Sequence, residues 1–269
     1  MAHRAYAVVS NVKLVRFYPT ALADGGLPFK SYACKNAFLI IEVVRGMGGV
    51  LHNRAMERLM PRYAYGGEHV TGDVVARSID DQLKKRNERY VLLDISHKPK
   101  EEILSHFPNI AAECLKYGLD ITKSPIPVVP AAHYMCGGVQ AGLHGETPIM
   151  GLYEAGEVAC TGLHGANRLA SNSLFEALVF AQRAVEPSLD YIVRSNIDID
   201  KSVEWPFPVV PTALGLSQLN EVKHITALTR TKLQKTMWDY VGIVRSIDCF
   251  KIAEKSLAEL ELKWEDHLF

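Results

Sequence analysis

Largely apolar residues recur at helical spacing in two long stretches near the C-terminus. The first stretch carries them at Val222, Ile225, Thr229, Leu233, Met237, Tyr240 and Val244, and the second at Ala253, Leu257, Leu260, Trp264 and Leu268. Spacings of three and four residues place such side chains on one face of an α-helix. A proline-rich segment, residues 205–215, precedes both stretches. The pattern therefore predicts a helical segment that follows a linker.

Helical patterns also occur in the first half of the chain. Residues 35–51 suit a helix that ends at Gly46. Residues 72–87 suit a helix with an apolar stripe among charged neighbours, and residues 101–120 suit a helix interrupted at Pro108.

Extended patterns lie between these helices. Residues 1–20 alternate weakly between apolar and polar positions, and we expect Pro19 to end their element. Residues 90–96 form a short apolar run that is typical of a buried strand. Residues 125–139 are rich in proline and glycine and should be extended or looped, and residues 147–159 resemble a strand.

Composition excludes several classes of protein. The chain has 269 residues, 48% of them hydrophobic, and 30 basic residues balance 30 acidic ones. Without net charge, nothing in the bulk composition favours nucleic acid or an anionic membrane as a partner. No apolar run is long enough to span a membrane, and no secretory signal is visible. The five cysteines are far apart, which predicts free thiols in a reducing compartment and no metal site.

Small and polar residues precede a helical pattern at residues 161–180. Ser173 and Glu176 have the spacing of a capping box, which predicts a helix from about residue 173 to 185. The N-terminus of a helix attracts anions. Glu157 follows Gly156 at the expected end of a strand, where a carboxylate can accept hydrogen bonds from vicinal hydroxyls. An ordinary capped helix and a charged turn would explain each feature separately.

Residues 127–185 resemble the C-terminal flavin-binding half of the succinate dehydrogenase, fumarate reductase and L-aspartate oxidase family. "AAHYMCGGV" and "TGLHGANRLASNSL" resemble the L-aspartate oxidases more, and "KSYACKNAFLIIEVVRG" and "YVLLDISHKP" resemble their plant members. The resemblance implies FAD as cofactor and L-aspartate as substrate. It also implies oxidation by O2 to iminoaspartate and hydrogen peroxide, for quinolinate and NAD synthesis in plastids.

The resemblance also implies roles for individual residues. His133, Arg168 and Glu42 match residues that bind the substrate dicarboxylate, a task that suits the planar fork of arginine. FAD would be held by Gly156, Glu157, Asn172, Ser173 and Leu174.

Three positions depart from the family pattern. Tyr18 stands where the family has a substrate-binding histidine, Ile41 where it has a carboxylate-binding threonine, and Gly72 where it has the proton-transfer arginine. Glycine cannot transfer a proton, and such help contributes about 10²–10⁴-fold to a rate. The chain also has no complete G-x-G-x-x-G, with residues 46–51 the nearest match. We therefore expect a truncated form that lacks the N-terminal FAD-binding half and has impaired or absent activity.

Three hypotheses follow for function. The chain is a working oxidase completed by a separate N-terminal piece, or a non-catalytic module that binds a dicarboxylate or pairs with full-length L-aspartate oxidase, or a fragment without a selected function. The expected fold class is α/β with an α+β insertion. Residues 1–12 and 136–204 would form a partial Rossmann-like FAD-binding domain, residues 13–135 a mixed capping domain, and residues 205–269 a helical bundle segment.

Overall fold

Two β-sheets organise the first 196 residues of the chain. A computed structural model describes residues 1–23, 38–196 and 216–268. The chain divides into two compact units, Met1–Ile197 and Asp198–Phe269. The predicted linker, 205–215, lies outside the described residues. So do residues 35–37 of the helix predicted over 35–51.

The structure has seven strands and seven α-helices among the described residues. The strands are β1 (Val9–Ser10), β2 (Val15–Leu22), β3 (Val50–His52), β4 (Val91–Asp94), β5 (Ile126–Met135), β6 (Gly138–Gln140) and β7 (Ala159–Cys160). The helices are α1 (Glu42–Gly46), α2 (Gly72–Arg86), α3 (Lys100–His106), α4 (Pro108–Lys116), α5 (Asn172–Arg194), α6 (Leu216–Tyr240) and α7 (Ile247–Leu268).

The larger sheet is antiparallel, with strand order β2-β5-β4-β3. Helix α2 packs against β2 and β5 through its apolar stripe. The core is a cluster of buried residues from the sheet and helices, including Val44, Leu51, Val75, Ile79, Leu83, Leu93, Ile103, Ile110, Ile126 and Val128. Apolar burial of this extent is the main stabilising contribution. The predicted strand at 90–96, the helix at 72–87 and the helix break at Pro108 are confirmed.

The prediction that Pro19 ends an element is wrong, because Pro19 lies inside β2. Between Tyr18 and Ala21 the register with β5 shifts, so β2 carries one extra residue at this point. Such a bulge leaves a backbone position without its ladder hydrogen bond, and proline lacks that donor in any case.

The predicted helix over 35–51 is shorter than expected, because it begins only at Glu42. The residues before it pair with β2 instead: Ile40 N–H donates to Thr20 O at 2.8 Å, and the Thr20 hydroxyl donates to Ile40 O at 2.8 Å. Thr20 and Ile40 are both fully buried. These bonds fix Ile41 and Glu42 beside the middle of β2.

The smaller sheet has the order β1-β6-β7, with β1 antiparallel and β7 parallel to β6. Residues 147–158 form turns and irregular backbone before β7 and not the predicted strand, of which only Ala159 lies in a strand, as the first residue of β7. Gly151 and Gly156 have φ angles of 79° and 85°, in the left-handed region that ends an extended segment. Glu157 therefore precedes a strand and does not follow one.

Helix α5 confirms the predicted helix but not its cap. It runs from Asn172, and the capping position is Ser171, whose φ of 69° is left-handed and whose side chain makes no capping hydrogen bond. Glu176 does not reach back to Ser173, because its carboxylate is buried and bound elsewhere.

The C-terminal unit contains α6 and α7, which pack against each other. Ala253 and Leu260 of α7 are buried, in line with the predicted apolar stripe of the second stretch, whereas α6 buries Thr236, which neither stripe included. Val244, predicted as part of the first stripe, lies beyond the end of α6 and is exposed. The mixed α/β fold class is confirmed, while the finer domain boundaries stay a prediction.

Candidate functional site

A bulge between β2 and β5 places His133 at the centre of the candidate site. Arg16 pairs with Tyr134 and Phe17 with Ala132, so His133 is the extra residue on β5. Bulges redirect side chains and are common beside active sites. The ring of Tyr18 contacts the His133 ring edge to face, with centroids 5.2 Å apart. The two residues that the sequence singled out on β2 and β5 are thus in contact.

Glu42, the first residue of α1, lies between two guanidinium groups. Its Oε1 is 3.6 Å from Arg16 Nη2 and 3.5 Å from Arg45 Nη2. Arg45 is 4% exposed, and its Nη1 donates to Glu68 O at 2.8 Å. Glu42 Oε1 and Arg45 Nε are buried without a hydrogen-bond partner among the described residues. The cluster therefore retains unused hydrogen-bonding capacity.

Gly72 faces this cluster from the first position of α2. A β-carbon at Gly72 would lie 2.7 Å from Glu42 Oε1 and 3.6 Å from Arg16 Nη2. Both atoms belong to flexible side chains. The sequence assigned Gly72 and Glu42 to one site, and the structure brings them together.

Arg168 approaches from the loop between β7 and α5. Its carbonyl oxygen accepts a hydrogen bond from Arg16 Nη1. Its guanidinium carbon lies 4.4 Å from the ring centroid of Tyr134, a cation–π contact. Arg168 Nε is buried and makes no hydrogen bond within the described part of the chain.

Ile41 lies at the edge of the cluster. It is the residue before α1, and 44% of it is exposed. Its side chain has no donor or acceptor, so it cannot bind a carboxylate by hydrogen bonding. Of the three positions that depart from the family pattern, Tyr18 and Gly72 border the charged groups directly.

The surroundings of the site act on two of its titratable groups. Burial lowers the pKa of His133, and the positive charges of Arg168 and Arg16 lower it further against the opposing effect of Glu157 and Glu42. His133 is therefore neutral at pH 7.

Burial also raises the pKa of Tyr18, and the Glu42 carboxylate raises it further. Tyr18 thus keeps its proton and remains a hydrogen-bond donor.

Comparison with protein families identifies the chain. Residues 1–174 match the family described as FAD binding domain. The chain belongs to this flavoprotein family.

Relatives within this family are L-aspartate oxidases. The chain is 66% identical to the chloroplastic L-aspartate oxidase 2-a of Nicotiana tabacum and 64% identical to the chloroplastic enzyme of Arabidopsis thaliana, over 100% of its own length. It is 43% identical to the L-aspartate oxidase of Pseudomonas aeruginosa over 91% of its length. The chain spans 42–43% of the length of these relatives. The resemblance predicted from the sequence is confirmed.

Solved structures of a fumarate reductase and of Sdh1 share the fold of this chain. The quinol fumarate reductase of E. coli matches 96% of this chain and 45% of its own, with a TM-score of 0.74 and 27% identity. The Sdh1 complex of Mycobacterium smegmatis matches 98% of this chain and 43% of its own, with a TM-score of 0.70 and 28% identity.

FAD, the cofactor that this family indicates, suits the chemistry around β7 and the start of α5. The exposed Glu157 carboxylate follows the left-handed Gly156, and its Oε1 accepts from Met135 N–H at 3.1 Å. Asn172, Ser173 and Leu174 begin α5, where backbone N–H groups favour negative charge. Leu174 is 77% exposed, which offers apolar surface at the same place. These groups fit hydroxyls and a flat ring, whereas the sequence provides no G-x-G-x-x-G for the pyrophosphate.

The sequence did not reveal the buried network that holds the Arg168 loop. Glu176 of α5 accepts from the Thr161 hydroxyl at 2.5 Å, contacts His164 Nε2 at 2.6 Å and accepts from the Tyr134 hydroxyl at 3.4 Å. Burial and the Glu176 charge raise the pKa of Tyr134 to about 12. Glu176 and Phe180, one turn apart, are the buried residues of α5, but the capping-box spacing gave Glu176 another explanation.

Arg16 was also missed. The alternation of β2 places residues 16 and 18 on the same face, so the assignment of Tyr18 to the site could have led to Arg16.

Other kinds of site find no support in the described residues. A cavity of about 370 Å³ lies between α3, α4 and residues 120–122, away from the charged cluster. No group of three His, Cys, Asp or Glu side chains in the described ranges is placed to hold a metal ion. None of the helices described combines the length and apolarity that a membrane span needs.

Proposed function

We propose that this chain contains a dicarboxylate site of the L-aspartate oxidase type, with L-aspartate as its ligand and with impaired or absent oxidation. The observation that carries the proposal is the excess of guanidinium groups. Arg16 and Arg45 flank one carboxylate, Glu42, and Arg16 also holds the main-chain carbonyl of Arg168. A ligand with two carboxylates balances this charge and satisfies donors that are otherwise unpaired.

Different residues of the site would bind different parts of the ligand. Arg168 would bind one carboxylate with the Nε that has no hydrogen bond within the described residues. His133, neutral at pH 7, would donate or accept a single hydrogen bond beside it. Tyr18 would supply a hydroxyl where the family pattern has histidine.

Impaired oxidation follows from position 72. When bound, FAD supplies the acceptor for the hydride that leaves the substrate Cα. A side chain of the protein must also transfer a proton. Gly72 has no side chain to do so. Loss of such a group lowers rates by about 10²–10⁴-fold. The family name and its FAD cofactor are therefore compatible with a chain that binds its ligand and turns it over slowly or not at all.

Calorimetric titration of the purified chain with L-aspartate tests the proposal. We expect one ligand per chain, and we expect Arg168→Gln to weaken binding by about tenfold or more, since a hydrogen bond to a charged group contributes about 1.5–3 kcal/mol. Arg194→Gln, which removes an exposed charge at the end of α5, is the matched control and should leave affinity unchanged. Absence of binding by the wild-type chain would refute the proposal.

The working oxidase is a second candidate, favoured by the 66% identity to a chloroplastic L-aspartate oxidase over the whole chain. Hydrogen peroxide release from L-aspartate, measured with FAD added, separates it from the first candidate. Retention of the visible flavin band after desalting reports FAD binding independently of turnover. Action in plastids belongs to the same proposal, since several relatives carry chloroplastic names.

Pairing with a full-length L-aspartate oxidase is a further part of the non-catalytic proposal. It is motivated by exposed apolar residues on α5, among them Leu174, Phe175 and Leu178. Large exposed apolar patches are typical of interaction surfaces. Sedimentation of the chain mixed with the full-length enzyme should show a complex, and independent sedimentation of the two proteins would remove this part.

A further inference from the structure

The guanidinium of Arg16, on strand β2, lies beside Gly72 at the start of helix α2. Arg16 extends from β2, its side chain is 9% exposed, and its Nη2 lies 3.6 Å from the position that a β-carbon of residue 72 would take. The same β-carbon would lie 3.7 Å from Pro19 Cδ. Because Glu42 Oε1 would lie only 2.7 Å from that β-carbon, the glycine at residue 72 lets Glu42 and the Arg16 guanidinium occupy the space at the start of α2.

Arg16 is held in place from two sides. Its Nη1 donates to the carbonyl oxygen of Arg168, 152 residues away in the chain. Its Nη2 is paired with Glu42 Oε1 at 3.6 Å, which is longer than a hydrogen bond. Glu42 Oε1 has no hydrogen-bond partner among the described residues. Arg16 and Glu42 therefore attract each other by charge without a hydrogen bond. The guanidinium keeps N–H donors that a ligand carboxylate could use.

We propose that Arg16 is a carboxylate-binding residue of this site and that Gly72, without a side chain, lets Arg16 and Glu42 lie together at the start of α2. This inference rests on the proposed dicarboxylate function. It assigns one ligand carboxylate to Arg16, next to Glu42 and Gly72, and leaves the other to Arg168. The hydrogen bond from Arg16 to the main-chain carbonyl of Arg168 keeps the two residues next to each other, as a ligand with two carboxylates requires. Neither bulk composition nor the family pattern assigned a role to Arg16.

A comparison of succinate with succinamate tests the assignment. Succinate has two equivalent carboxylates, and succinamate replaces one of them by a neutral amide. Calorimetry on the wild-type chain should give about tenfold or more weaker binding of succinamate, the loss expected for one charged hydrogen-bond partner. In Arg16→Gln, the affinity for succinate should fall by a similar factor. The affinities for the two ligands should then lie within about threefold of each other.

The controls separate a binding role from a positioning role. Arg194→Gln changes net charge equally and should keep the wild-type ratio. If Arg16→Gln weakens both ligands equally, or changes neither, the assignment to Arg16 is overturned while dicarboxylate binding stands. If the wild-type chain binds no succinate, the proposed function itself fails and the assignment fails with it.

A second variant covers the case in which Arg16→Gln does not fold, as judged by circular dichroism. Arg16→Lys keeps the charge but loses the planar fork. It should reduce the ratio between the two ligands severalfold. A ratio equal to that of the wild-type chain would overturn the assignment.

Discussion

His164 Nε2 lies 2.6 Å from Glu176 Oε2, and the two side chains are 4% and 1% exposed. This pair joins the loop that carries Arg168 to the first turns of α5. Thr161 adds a second bond to the same carboxylate. The first residues of the loop are therefore tied to α5, and the position of Arg168 depends on a residue outside the charged cluster.

Glu176→Gln should destabilise the first unit. The amide retains one acceptor, but His164, Thr161 and Tyr134 lose the charged partner that they share. Buried hydrogen bonds to a charged group contribute about 1.5–3 kcal/mol, so the free energy of unfolding should fall by about that amount. Urea unfolding followed by circular dichroism measures the change.

Glu186→Gln provides the control on the same helix, because Glu186 is exposed. Surface substitutions of this type change stability by about 0.5 kcal/mol or less. Equal effects of the two substitutions would show that the Glu176 network does not anchor the loop. Arg168-dependent binding of L-aspartate should also weaken in Glu176→Gln and not in Glu186→Gln.

The roles that the resemblance implies for the site residues stay predictions, whereas the structure tests the predicted helices and strands. Resemblance brought Tyr18, Glu42, Gly72, His133 and Arg168 to one place, and the structure brings these residues together. The sequence could not show the bulge at His133, because a bulge depends on the register between two strands that are more than 100 residues apart in the chain.

Local patterns failed where long-range contacts decide the conformation. Residues just before Glu42 have a helical pattern, yet hydrogen bonds to Thr20 hold them extended. Residues 147–159 resemble a strand in sequence, but left-handed glycines turn the chain instead. The strongly periodic helix α2 was predicted correctly, since its stripe has one large apolar partner in the sheet.

His133 should make stability depend on pH. Its folded-state pKa lies below the ordinary value of about 6.5, because burial, Arg168 and Arg16 outweigh Glu157 and Glu42. Between these two values the unfolded chain binds more protons, so stability falls as the pH falls below about 6.5 toward the folded-state pKa. Unfolding of the wild-type chain and of His133→Asn, compared from pH 8 to pH 5.5, checks this. As the pH falls, the wild-type chain should lose stability relative to His133→Asn. A stability difference that stays constant with pH would contradict the lowered pKa of His133.

Thr20→Val should destabilise the contact that places Glu42. The buried hydroxyl donates to Ile40 O, and valine keeps its shape but leaves the carbonyl oxygen unpaired. The cost should be about 1–3 kcal/mol in the free energy of unfolding. Thr231→Val also loses a bond to a backbone carbonyl, but on an exposed face of α6, and should cost far less. Similar costs for both would mean that Thr20 is not important for this pairing.

Leu260→Ala should weaken the packing of α7 on α6. Leu260 is 8% exposed, and truncation of a buried leucine costs about 2–5 kcal/mol. Thermal loss of the helical circular dichroism signal should begin at lower temperature. Leu262→Ala on the same helix removes a side chain that is 61% exposed and should leave the transition in place. An unchanged transition in Leu260→Ala would contradict the packing of the two helices.

The central claim is that the cluster of Arg16, Arg45, Arg168 and Glu42 binds a dicarboxylate. Titration of the wild-type chain with succinate and with butyrate, at low and at physiological salt, tests it most directly. The account predicts that succinate binds about tenfold or more tightly than butyrate, and that salt weakens succinate more because it screens charge. Equal affinity for the two ligands at both salt concentrations, or no binding of succinate, would contradict it.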